Sequence, residues 1–270
     1  MKFWIYATSA AALLVSGSTF AADLRMAPPP APMAPLPVFT WTGFYIGGDV
    51  GGAWATDKMT ESTAFVPPRT GSATLDSSGV IGGAHIGYNW QMTNWVFGLE
   101  GDFDGTSLKK SSNCLVEDAG VGNLAPGTCF PQTSVGTGYA FSTELPWQAS
   151  IRGRLGYAFG NVLLYATGGV AFADIKTSFS NFGGATPGTQ SFDQTRTGFT
   201  VGGGIEYALN ANWSTRVEYR YSDFGKVSNA ITAAGAFWNG YTDKHRITEN
   251  LVMLGISYKF GAPTPVVARY

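Results

Sequence analysis

The sequence predicts an all-β fold, an eight-stranded antiparallel transmembrane β-barrel. Three observations predict it. From Thr42 onward, apolar residues recur at every second position, which is the period of a strand and not of a helix. Short turns alternate with long connections along an even number of strands. Trp and Tyr collect near strand ends on the apolar face, as interfacial aromatic belts do.

Composition narrows the alternatives in the same direction. The chain has 36 Gly in 270 residues and only 13% charged residues, where about 7% Gly and about 25% charged are usual. Low charge with 14% aromatic residues is the reverse of a disordered composition. A formal net charge of -1 lacks the basic excess of a nucleic-acid binder, so no nucleic-acid partner is expected. Mean hydropathy of +0.03 argues against a bundle of apolar membrane helices.

Residues 1–21 read as a secretory signal peptide, with Lys2 as the basic region, an apolar stretch through Val15, and Thr19-Phe20-Ala21 before the cut. Cleavage is expected after Ala21 or Ala22. Residues 22–39 form a proline-rich linker, because MAPPPAPMAPLP has too few amide donors for a sheet and favours an extended polyproline course. The barrel then occupies 40–260, and 261–270 is a C-terminal extension.

Strand one is expected over Gly43–Thr56 and strand eight over Glu249–Phe260. Between them lie three strand–turn–strand units: IGYNWQMTNWVFGLEGDF, LGYAFGNVLLYATGGVAF and IEYALNANWSTRVEYRYSDF. Their turns fall near Gln91–Asn94, Phe159–Asn161 and Asn210–Asn212, which contain the Asn and Gly that hairpin turns favour. Long connections are expected at 57–77, 105–143, 174–195 and 224–246. Short turns and both termini then face the periplasm. A soluble β-sandwich would use the same alternation, but its polar face would be solvated. Here that face mixes ions with Gly47, Gly51, Gly83, Gly87, Gly202 and Gly204, which suits a cramped interior.

Projecting the alternation inward assigns Asp49, Glu100, Asp102, Glu206 and Glu218 to the lumen as acids. It assigns Arg152, Arg154, Arg216, Arg220 and Lys259 as bases. An eight-stranded barrel is just wide enough to be filled by side chains, so this balanced set favours a compensated plug over a pore. His85 also points inward. His245 is expected in the last long loop. Neither histidine has the surroundings of a nucleophilic mechanism, and no phosphate loop, zinc spacing or calcium loop occurs, so neither an enzyme nor a metal or cofactor is expected. In an exported chain, Cys114 and Cys129 are expected to form a disulfide closing a surface loop.

FTWTGFYIGGDVGGAWA, IGGAHIGYNWQ, VGGGIEYALNANWSTRVEYRYSDFG and NLVMLGISYKF together resemble the alphaproteobacterial outer-membrane immunogenic protein family of small OmpA-like barrels. The resemblance covers about 38–260. It implies a cell-surface barrel of the Gram-negative outer membrane that contributes to envelope integrity as a surface antigen. It also implies outer-membrane lipids, lipopolysaccharide and the barrel-assembly machinery as partners, with a surface ligand or host factor beyond them. Some relatives of this kind are porin-like and others hemin-binding. For a hemin ligand set this sequence offers His245, Tyr241 and Tyr139. Phe260 resembles the terminal aromatic read in barrel assembly, but here GAPTPVVARY follows it.

Overall fold

The computed structural model describes residues 39–63, 70–112, 115–117, 129–130, 138–182, 188–231 and 241–261. The expected signal peptide, nearly all of the linker, Cys114 and most of the C-terminal extension lie outside the described residues. Among these residues no helix is long and apolar enough to cross a membrane.

Eight long strands build the wall: β1 (Gly43–Thr63), β2 (Thr70–Met92), β3 (Trp95–Ser112), β6 (Gly138–Phe159), β7 (Val162–Phe182), β8 (Gly188–Ala208), β9 (Trp213–Ile231) and β10 (Tyr241–Lys259). Two short strands, β4 (Leu115–Glu117) and β5 (Cys129–Phe130), lie in the β3–β6 connection, with β4 paired to the top of β2. Every long strand pairs antiparallel with its neighbours, and β1 meets both β2 and β10, which closes the cylinder. The three tight turns occur where Asn and Gly predict them, at Thr93–Asn94, Gly160–Asn161 and Leu209–Asn212.

The strands are much longer than expected. Most of 57–77, 105–112, 174–182, 188–195 and 224–231 is strand and not loop. A tilted strand needs only about 9–11 residues to cross the hydrocarbon, so the wall continues well above the membrane. Its polar, Ser- and Thr-rich sequence there dissolves the lipid-facing alternation, so the strand periodicity fades from the sequence while the hydrogen-bond ladder continues.

Two aromatic belts bound the crossing. The lower one contains Trp95 edge-on to Tyr157 and Trp213 edge-on to Tyr258. The upper one contains Phe103 stacked on Trp147, Phe199 beside Tyr221, and exposed Trp54. Where one strand contributes to both belts, as β3, β6 and β9 do, eight to ten positions separate them, close to what a tilted strand needs to cross the hydrocarbon. Between them the outward residues are apolar, as Val217, Leu254, Ile256 and Ile205 illustrate.

Just above the upper belt the ladders are interrupted by bulges, at Gly105/Leu108 in β3, Glu144/Gln148 in β6, and Arg246/Thr248 between β10 and β9. Bulges at a barrel rim bend strands and increase twist. Among the described residues, the β2–β3 ladder ends at Ile81↔Thr106 and the β8–β9 ladder at Phe199↔Asp223. The wall above therefore consists of two leaves parted by two seams: β2-β1-β10-β9, whose β2 edge is extended by the short β4 and β5, and β3-β6-β7-β8.

The interior is layered. At the short-turn end Trp41, Val96, Ala158, Leu163 and Ala208 pack together with Phe39. Charged and hydroxyl-bearing side chains fill the middle. Above them Ala53, Ile81, Leu108, Leu145, Phe224, Ile247, Leu251 and Met253 form an apolar layer.

Candidate functional site

The middle layer holds the candidate site. Strand parity turns Arg152 and Arg154 inward from β6, Glu100 and Asp102 from β3, Arg216, Glu218 and Arg220 from β9, Asp49 from β1 and Glu206 from β8. All nine are buried. Glycines on the facing strands supply the room. A Cβ on Gly47 would collide with the His85 ring, and one on Gly255 would strike the Asp49 carboxylate and crowd Arg216.

Arg152 is the hub. It is fully buried, and its Nη2 donates to Glu100 Oε1 at 2.6 Å and lies 3.1 Å from Asp102 Oδ2. Its Nη1 donates to Glu218 and, at 3.3 Å, to Thr167 Oγ1. Each carboxylate has a second cation. Arg216 donates to Glu100 Oε2 at 2.5 Å and to Asp49 through Nε at 3.1 Å and Nη2 at 2.9 Å. Arg220 donates to Asp102 Oδ1 at 2.9 Å and lies 3.4 Å from Glu218. Two phenols complete the carboxylate shells at 2.8 Å: Tyr45 donates to Glu100 and Tyr165 to Glu218. Forked guanidinium–carboxylate contacts of this kind are the stronger class of hydrogen bond.

Arg154 forms a separate pair with Glu206 and lies 3.6 Å above the centre of the Tyr165 ring. Ser214 donates to the other Glu206 oxygen at 2.5 Å. His85 Nδ1 sits 2.6 Å from Asp49 and Nε2 sits 2.8 Å from Ser257. The His85 ring thus joins the β1 carboxylate to β10.

Register alone does not tell which ions pair. Glu100 and Arg152 are opposite each other on adjacent strands and do bond. Glu206 and Arg216 are also opposite each other, yet Glu206 takes Arg154 from β6, past the intervening β7, while Arg216 reaches Asp49 and Glu100.

The interior differs from the sequence expectation in four respects. Asp104 and Glu249 are also buried inside, so the layer is acidic and not balanced. Parity could have found both, one step above Asp102 on β3 and one turn of the pleat above Leu251 on β10. Neither carboxylate has a hydrogen-bond partner, nor does Gln148 Nε2, although Arg220 lies 3.8 Å from Asp104. Lys259 is half-buried at the short-turn end, where its Nζ donates to the Thr40 carbonyl, away from the central network. His245 is not in a solvated loop. It is buried inside the upper wall, with Nδ1 2.9 Å from Asp57, because β10 extends past the expected strand start. That position removes it from any ligand set on the loop surface. Tyr241 and Tyr139 lie on strand ends whose side chains are outside the described residues, as is the Cys129 side chain.

Phe260 stands on the outer wall at the short-turn edge. Its amide donates to the Phe44 carbonyl at 2.8 Å, and its ring meets Tyr258 edge-on at 5.1 Å. This contact fastens the end of β10 to β1 at the closing seam.

Comparison with known proteins places this architecture. The family described as "Outer membrane protein beta-barrel domain" matches residues 8–260. The chain is 34% identical over 267 residues to the 31 kDa outer-membrane immunogenic protein of Brucella melitensis, covering 96% of this chain and 100% of that protein. It is 31% identical over 227 residues to the 22 kDa outer membrane protein of Rhizobium leguminosarum bv. viciae, covering 83% of this chain and 80% of that one. Among solved structures it is similar to the outer membrane protein OprG of Pseudomonas aeruginosa, at 15% identity and a TM-score of 0.44, covering 82% of this chain and 97% of that one. With the family description matched over most of its length and relatives aligned almost end to end, the chain belongs to the outer membrane β-barrel protein family of Gram-negative bacteria, with the alphaproteobacterial outer-membrane immunogenic proteins among its relatives.

Proposed function

We propose that the protein is a structural and surface-interaction barrel whose lumen is closed to solutes. The observation that carries this reading is the fully buried Arg152, which bridges carboxylates from β3 and β9 across the lumen. A side chain held at three points across an eight-stranded interior leaves little path for water. Apolar layers above and below the ions add two further barriers. The extended upper wall carries the surface that meets the environment. The immunogenic designation of the relatives supports a surface-antigen role.

Planar-bilayer recording of the refolded protein tests closure. The expected trace has no discrete steps, and steady steps of uniform size would reject the plug. One observation favours a second reading, a narrow cation-preferring channel: Asp104 and Glu249 are buried without hydrogen-bond partners. Under that reading the steps are cation-selective, and Asp104→Asn together with Glu249→Gln removes the selectivity.

A further inference from the structure

Above the upper aromatic belt the outer wall carries a row of cations in register. Lys58 on β1 lies directly opposite Arg246 on β10, and Arg246 lies directly opposite Lys226 on β9. All three are exposed, as is Lys244 two positions further along β10. Like charges directly opposite each other destabilise a sheet. Asp223, which accepts from Arg246 Nη2 at 2.8 Å, offsets one of the four cations. Burial pushes the Asp223 carboxyl up, but the hydrogen bonds from Arg246 and from the Gly225 amide prevail and hold it below the usual carboxylate range. On β2 the exposed Asp76, one outward position from the Thr74 that lies opposite Lys58, accepts from Thr56 Oγ1 at 2.9 Å and offsets a second cation, so among the described side chains the patch keeps a net positive excess.

A groove opens beside this row. Phe224 and Gly225 of β9 together face only Ile247 of β10, and Gly225 adopts a φ of 74°. That bulge ends the β8–β9 ladder at Phe199↔Asp223 and parts the two strands. The resulting open cavity measures about 430 Å³ and is lined by Thr197, Phe199, Asp223, Lys226 and Arg246 among others. Its floor is Phe199, a belt aromatic that faces lipid. Its upper edge is the pair Lys226 and Arg246. Four residues of tilted strand place Lys58 about 10 Å above Trp54 of the belt, within reach of phosphates at the leaflet surface once long side chains bend toward them.

We infer that this groove and cation row bind the phosphorylated headgroup of an outer-leaflet glycolipid, the lipid A part of lipopolysaccharide. The apolar floor meets the start of an acyl chain. Arg246 offers a planar fork that matches phosphate, and Lys58 and Lys226 flank it as point charges. A soluble anion would use the cations but gain nothing from Phe199. The site lies on the outer wall, so it holds whether or not the lumen conducts.

The test uses the full-length protein in detergent micelles and native mass spectrometry with diphosphoryl lipid A. The expected result is one retained lipid per barrel, with affinity about tenfold or more weaker for dephosphorylated lipid A and for Lys58→Gln/Lys226→Gln/Arg246→Gln. Lys110→Gln, which removes an exposed base on β3, should bind as the parent does. Heat-shifted gel migration confirms that each variant is folded. Equal retention by the triple variant overturns the inference, as does equal loss in Lys110→Gln. Indifference to the lipid's phosphates also overturns it. A soluble bisphosphorylated glucosamine disaccharide binding as tightly as the lipid would overturn the lipid assignment.

Discussion

Arg152→Met is the sharpest probe of the central network. Methionine keeps much of the length and apolar volume but removes the charge that meets Glu100, Asp102 and Glu218. Breaking a buried ion pair from one side costs about 3–5 kcal/mol, because the remaining charge is left uncompensated. Here each stranded carboxylate keeps other donors. Glu100 keeps Arg216 and Tyr45, Asp102 keeps Arg220 and Ser150, and Glu218 keeps Tyr165 with Arg220 nearby. The loss should therefore lie at the lower end, about 3 kcal/mol, or roughly two powers of ten in the unfolding equilibrium constant. Urea titration of the refolded barrel, read by Trp fluorescence and heat-shifted gel migration, measures it. Adding Glu218→Gln should recover part of the loss, giving a coupling of about 1–3 kcal/mol between the two sites. A loss below about 1 kcal/mol, or strict additivity of the two changes, would refute the reasoning. Either result would mean that water solvates the carboxylates and that the layer is wet.

Neutralising the unpartnered acids should act in the opposite direction. Asp104→Asn and Glu249→Gln each replace a buried carboxyl group that makes no hydrogen bond, so the same titration at pH 8 should show unchanged or higher stability. A marked loss would mean that these carboxylates hold an ion in the native barrel. Gly47→Ala places a methyl group into the His85 ring and against the Ile256 carbonyl. It should cost about 1–3 kcal/mol through overpacking, and a variant as stable as the parent would show that both His85 and the β1–β10 backbone can shift at no expense.

The path from residue to side of the wall was readable throughout the membrane-spanning part. Alternation with period two separates Val217 and Tyr219, which face lipid, from Arg216, Glu218 and Arg220, which face the lumen. It fails where the outward face no longer touches lipid. Above the belts Lys58, Thr60, Lys226 and Ser228 are outward and polar, so the contrast between faces is lost and strand reads as loop. His245 was misplaced for that reason.

Strand count, antiparallel order, the turns and the inward direction of nine central ions were determined by sequence, because each follows from side-chain period or local backbone preference. Only the tertiary structure decided strand length, the two leaves and their seams, and the partners across the lumen. Alternation states which face a side chain occupies but not its height along the barrel axis. Tilt and register set that height, bringing Arg216 to Asp49 across 167 positions of chain and Arg220 to Asp102 across 118.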